Sequence, residues 1–378
     1  MRSLPSRENL MRKPAPHSEI PGALAKTGFP LEFQVASAFR NAGWAVINGH
    51  YYLDDVDGRA RELDLIAYKV RKTAYVNVVT CFLISCKKDA DNTWTFMSRD
   101  RPASDPNTDW RPIHAWTDTE PLRSFMSDLT WKDDFHNSAQ PRHLVDATRD
   151  FFAYQLVSPD GKSPRNDKPI FESISGLLKA LDHEITTRTE RGKKRRRVFN
   201  FNLFTVVDAP LVEVSYKEDG ALGCTDIDHL LYHARYLVRR QNLEALVHFT
   251  IPDRLESCVA DAQILHEHNV AFFGKAAKDA YGAILTSGEV TKYFQELMQP
   301  KLLSAVRSRM KKLGLSGDVG SIGLVSLQGQ RLELNLDVYD GQAEVLNADT
   351  TLRDRIAEIL EKMARFKGDF IISDDVPF

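Results

Sequence analysis

Two segments rich in apolar and β-branched residues, 61–70 and 75–86, are separated by little more than Arg71-Lys72-Thr73. Strands joined by so short a link pair antiparallel, because a parallel return needs a crossover of a dozen residues or more. The chain is therefore expected to carry a hairpin, and its sheet to grow outward from it. Ahead of the hairpin, Leu31, Val35, Ala38 and Phe39 recur at helical spacing. This predicts an amphipathic helix over 31–42, stopped by Gly43, and a first strand at 44–47. Downstream, 198–207 is rich in β-branched and aromatic residues and is predicted as a buried strand. A short hairpin partner is expected at 210–216 and a further strand at 245–251. Helical spacing is found at 144–156, 170–185, 226–239 and 255–265.

With 378 residues, the chain holds two domains, or one domain with a large insertion. Between 98 and 140 the periodicity is lost among prolines and the isolated Trp110, Trp116 and Trp131. Beyond 290 the order helix, strand, strand, helix, strand returns. The expected architecture is α/β, with a mixed central sheet flanked by helices over 25–269. An insertion is expected at about 98–195 and a small C-terminal α/β domain at 290–378. Residues 1–24 are polar, with prolines and basic side chains, and are expected to form a flexible arm. They lack the apolar stretch of a secretory signal. No run of 18 apolar residues predicts a membrane span. Cys81, Cys86, Cys224 and Cys258 are far apart and form no C-x-x-C pair. That argues against structural zinc and for a reducing compartment, the cytoplasm. The formal net charge is −2, so any nucleic-acid surface must be a local patch.

The candidate chemistry gathers on the predicted helix and hairpin. Glu32 lies on the helix. Glu62 and Asp64 lie in Arg61-Glu62-Leu63-Asp64-Leu65-Ile66-Ala67, and the next strand ends Ser85-Cys86-Lys87-Lys88. Residues two apart on a strand share a face, so Ser85 and Lys87 point together, Glu62 and Asp64 point together, and Cys86 turns away. A strand bulge would change where Glu62 points.

The segments "TGFPLEFQVASAFRNAGW", "RELDLIA" and "LISCKK", in the order helix with Glu, strand with Asp, strand ending in x-Lys, resemble the PD-(D/E)xK superfamily. This is the restriction-endonuclease-like group that includes archaeal Holliday-junction resolvases. The resemblance covers residues 25–90 and extends loosely to 198–207 and 245–251. Family members carry a carboxylate two residues before the lysine, where this chain has Ser85.

The resemblance implies a Mg²⁺-dependent nuclease acting on DNA, with Mn²⁺ as an alternative cofactor. Asp64, Glu32 and Glu62 are then the metal-ligand candidates. Lys87 is the catalytic cation that steadies developing charge. Ser85 offers a neutral hydroxyl in place of a charge. Two rival classes remain open: a catalytically silent nuclease fold that binds nucleic acid, and a scaffold whose C-terminal domain recruits a protein partner or a second copy.

The run from Arg188 through Lys193, Lys194, Arg195, Arg196 and Arg197, with Lys88, is the candidate phosphate-contacting patch. The run is expected near the mouth of the cleft. Trp94 and Phe96 are expected in the core. His229 and His233, four apart on a predicted helix, lack a third metal ligand and are expected to be ordinary helix residues.

Overall fold

The computed structural model describes residues 16–54, 58–101, 109–190, 195–216, 220–286, 293–327 and 331–374. Two helices open the chain, α1 (Ile20–Leu24) and α2 (Phe29–Asn41). Pro30 occupies the first turn of α2, where a missing N–H costs nothing. Gly43 follows α2 at φ 77°. The meander β1 (Ala45–Leu53), β2 (Ala60–Lys72) and β3 (Asn77–Lys88) comes next, antiparallel throughout. Then follow β4 (Thr93–Asp100), β5 (His114–Thr117), α3 (Glu120–Ser127), α4 (Thr130–Ser138), β6 (Arg149–Val157), β7 (Pro164–Arg165) and α5 (Lys168–Glu190). The second half of the main unit is β8 (Arg197–Asp208), β9 (Leu211–Tyr216), β10 (Leu222–Ile227), β11 (His229–Val238), β12 (Gln241–Thr250) and α6 (Leu255–Thr286).

Among the described residues the central sheet runs β1-β2-β3-β8-β12-β11, with β5 pairing the first half of β8. It is mixed, because β3, β8 and β12 are mutually parallel while the meander and β11 are antiparallel. Both faces are covered. Val78, Phe82, Ile84 and Cys86 of β3 join Val35 and Phe39 of α2 and Leu265 and Phe273 of α6 in one core. Val79, Cys81 and Leu83 point the other way, to Ile170, Ile174, Leu177 and Leu181 of α5. That α5 stripe repeats every three to four residues, and burying each such aliphatic side chain contributes about 1.5–3 kcal/mol. A strand buried on both faces reads as a continuous apolar run, as residues 78–86 do.

Among the described residues, the segment expected as an insertion carries β5, α3, α4, β6, β7 and α5. β4, β6 and β7 join β9 and β10 in a second sheet of order β10-β9-β4-β6-β7. Trp94 and Phe96 of β4 are fully buried in the α5-side core, as core residues. Three expectations are corrected. The helix read at 144–156 is a short 3-10 turn followed by β6. The helix read at 226–239 is β11. Residues 211–216 pair with β10 and β4 rather than folding back on β8. The helix read at 255–265 continues through 270–273 to Thr286.

The C-terminal segment has α7 (Gln299–Leu313), β13 (Ile322–Leu327), β14 (Arg331–Leu336), α8 (Gln342–Ala348), α9 (Thr350–Ala364) and β15 (Asp369–Asp374). Its sheet, β13-β14-β15, and its helices close a third core that Tyr281 and Ile284 of α6 complete. Gly314 ends α7 at φ 69°, and Asp349 caps α9 by accepting from Leu352 N–H at 2.7 Å. No helix of the described residues is long and apolar enough to cross a membrane.

Candidate active site

The site lies at the end of the β2–β3 hairpin, where the two strands stop pairing with each other. In β2, Leu65 and Ala67 face the α2 side while Ile66 faces α5, as alternation requires. Leu63 also belongs to the α5-side core, so the strand changes phase at Asp64. Gly49 of β1, opposite this point, has φ 60°, and a Cβ there would come within 2.8 Å of the Glu62 carboxylate. Glycine is the residue that accepts both constraints. The irregularity that would re-aim Glu62 is therefore present.

Asp64 reaches across to β3. Its Oδ2 accepts from the Cys86 backbone N–H at 2.6 Å and from the Ser85 hydroxyl at 3.3 Å. The β2–β3 register places Ser85 opposite it, one step beyond the Leu65–Ile84 pair. Glu62, Asp64, Ser85 and Lys87 all line one cleft of 330 Å³. Glu32 does not line that cleft and approaches from the first turn of α2. Burial raises its carboxyl above the usual range, the charges of Asp64 and Glu62 raise it further, and Lys87 opposes them. Cys86 points into the α2-side core, and burial pushes its thiol well up.

The other side of the cleft had no signal in the sequence. Phe171, Glu172, Ser175 and Lys179 of α5 and Tyr236 of β11 line it, with Asp54 and Arg61 at its edge. Lys179 Nζ sits 2.9 and 3.0 Å from the two Asp54 oxygens, and Arg61 Nε is 3.3 Å from Oδ2. The helical period of 170–185 was legible, but which strand ends α5 would cover depends on the whole sheet order.

Arg195, Arg196 and Arg197 do not sit at this cleft. Arg197 pairs with Asn77, eight residues before Ser85 along β3, which is about 26 Å at ~3.3 Å per residue. Arg195 and Arg197 each donate a backbone N–H to Asp118, and Arg196 donates to the Lys362 carbonyl. The expectation of a basic rim fails for these three because β8 enters the sheet at its far end. Lys193 and Lys194 lie outside the described residues. Lys88 is tied to the Ala25 carbonyl at 2.7 Å.

His229 and His233 lie on a strand rather than a helix. His229 meets His248 at 3.1 Å, and His233 meets the Asp109 carbonyl at 3.0 Å. Among the described residues no three His, Cys, Asp or Glu side chains converge as a metal-holding group. Asp64, Glu32 and Glu62 therefore act on one another electrostatically without forming a three-carboxylate cage.

No family model matches the chain, and no solved structure matches it. The chain is similar to an arginine–tRNA ligase of Sulfolobus acidocaldarius, 28% identical over 207 residues, which is 53% of this chain and 31% of that protein. The chain thus spans about a third of the length of the relative it matches.

Proposed function

We propose that the chain is a metal-dependent phosphodiester hydrolase built on a PD-(D/E)xK restriction-endonuclease-like core, with DNA as its substrate. The carrying observation is the placement of Asp64, Ser85 and Lys87 on neighbouring strand ends facing one cleft. The donor set fits a minimal Mg²⁺ mode, in which one or two carboxylates bind and water and phosphate oxygens fill the rest. The crowding of Glu32 by Asp64 and Glu62 is relieved by a cation. When bound, Mg²⁺ or Mn²⁺ supplies phosphate polarisation and an acidified water.

The chain's own groups have separate parts. Cys86 N–H and Ser85 Oγ fix the Asp64 carboxylate, so its orientation is set before substrate arrives. Lys87 places its ammonium at the same cleft, where charge develops on the phosphate oxygens. Glu32 adds negative charge from α2.

A second reading, the same core kept for binding alone, is favoured by Ser85, which removes one charge from a site that must hold a dication. Cleavage assays on plasmid, single-stranded DNA and RNA with Mg²⁺ or Mn²⁺ separate the two, and the similarity to an arginine–tRNA ligase adds tRNA to the substrates. Metal-dependent cleavage lost in Asp64→Ala supports hydrolysis. Binding without cleavage in both the native chain and Ser85→Glu favours the second reading.

A further inference from the structure

The cleft is small for a nucleic-acid site. Its 330 Å³ lies at the low end of the ~300–1,000 Å³ typical of small-molecule clefts. Strand ends make one wall. The other is one face of α5, where Phe171, Ser175 and Lys179 recur every four residues, with Tyr236 beside them. A phosphate that reaches Lys87 sits between two walls, and a paired strand would bring its complement into the same space.

Aromatic rings stand at the α5 wall. Phe171 is 43% exposed at the α5 wall. It meets Tyr236 edge-on with ring centroids 5.8 Å apart, and Lys179 Nζ lies 5.8 Å from the Tyr236 ring centre. Single exposed apolar side chains are ordinary. Here an exposed phenylalanine and a tyrosine stand together in one candidate site whose charged lining is mixed in sign, with Asp54, Glu62, Asp64 and Glu172 against Arg61, Lys87 and Lys179. Such a lining gives little net attraction for a polyanion, and Arg195, Arg196 and Arg197 are at the far end of the sheet.

Resting on the phosphodiesterase reading, we propose that the substrate class is nucleic acid with unpaired nucleotides, whose bases stack on Phe171 and Tyr236 beside the scissile phosphate. Stacking uses the π-face that every base has, so recognition is by strandedness and not by sequence.

The test is fluorescence anisotropy in EDTA, so that binding is read apart from cleavage. The probes are a labelled mixed-sequence single strand and the same strand annealed to its complement. The single strand binds at least ten-fold tighter. Phe171→Ala weakens single-strand binding between about five-fold and a hundred-fold. Phe171→Leu, which keeps an apolar side chain, weakens it similarly, and Phe171→Trp restores it. Equal affinity for the two probes, or full affinity in Phe171→Leu, overturns the proposal. A parallel Mg²⁺ and Mn²⁺ cleavage arm on the single strand reads the underlying function independently. Binding with the expected preference but no cleavage removes the hydrolase and leaves the strandedness inference standing. Cleavage of both probes at equal affinity does the reverse.

Discussion

At its first residues β3 lies beside Arg197, and the nearby Asp118 is buried and fully engaged. It accepts from Arg195 N–H at 2.8 Å and Arg197 N–H at 2.5 Å, and the Arg197 guanidinium stands 3.5 Å away. At its last residues β3 faces Asp64, where Glu62 and Glu32 add like charge, with Lys87 close by. Both ends hold a carboxylate that accepts backbone N–H groups. One carboxylate is matched by cations and closes a strand end. The other is crowded by anions in a cleft. Local charge balance, and not the presence of an acidic residue, distinguishes the joint from the candidate site.

The largest expected effect is at the crowded end. Asp64→Ala and Lys87→Ala are each expected to lower cleavage by ~10²-fold or more, as removal of a charge-stabilising group does elsewhere. Steady-state rates on a single-stranded substrate check this, with thermal melts kept within a few degrees of the native chain. The next effect belongs to the matched end. Asp118→Ala leaves two backbone N–H groups and a guanidinium without their acceptor and should cost about 2–4 kcal/mol in urea unfolding. Its cleavage rate per folded molecule should be unchanged. Loss of activity without loss of stability there would break the comparison.

Smaller effects sharpen it. Ser85→Glu should raise Mg²⁺-dependent cleavage several-fold, read as a lower Mg²⁺ requirement. Glu32→Gln tests the crowding directly. The Glu32 carboxyl is raised in the folded protein, so its ionisation above that raised value works against folding. The variant should therefore be more stable than the native chain near neutrality. That gain should vanish as pH falls below the ordinary carboxylate range, where both folded and unfolded states are protonated. A pH series of melting temperatures reads the effect. The smallest is Arg195→Ala with Arg196→Ala, whose salt slope for single-strand binding should equal that of the native chain. A slope reduced by ~0.7 per lost phosphate contact would return these residues to the binding surface.

The hairpin, α2 and the Asp64–Ser85–Lys87 order were legible because each rests on local periodicity and short links. β11 was not. Leu230, Leu231, His233, Ala234 and Val238 are buried, a spacing that imitates a helix because both faces of the strand are covered. At 144–156 the apolar residues Leu144, Val145, Phe151 and Leu156 belong to a turn and a strand that serve different cores. Long-range pairing, not local pattern, decides such segments. The same limit hid the α5 wall of the cleft and misplaced the basic run, whose position follows from the register of β8.

Helix α6 packs into the α2-side core from Leu255 to Ala277 and contributes Tyr281 and Ile284 to the C-terminal core. Its 32 residues make a beam about 48 Å long. A beam clamped in two bodies acts as a lever. A tilt of one degree about its first turn moves its last turn by about 0.8 Å at that length. The C-terminal core and the sheet that carries Asp64 and Lys87 thus share one continuous helix.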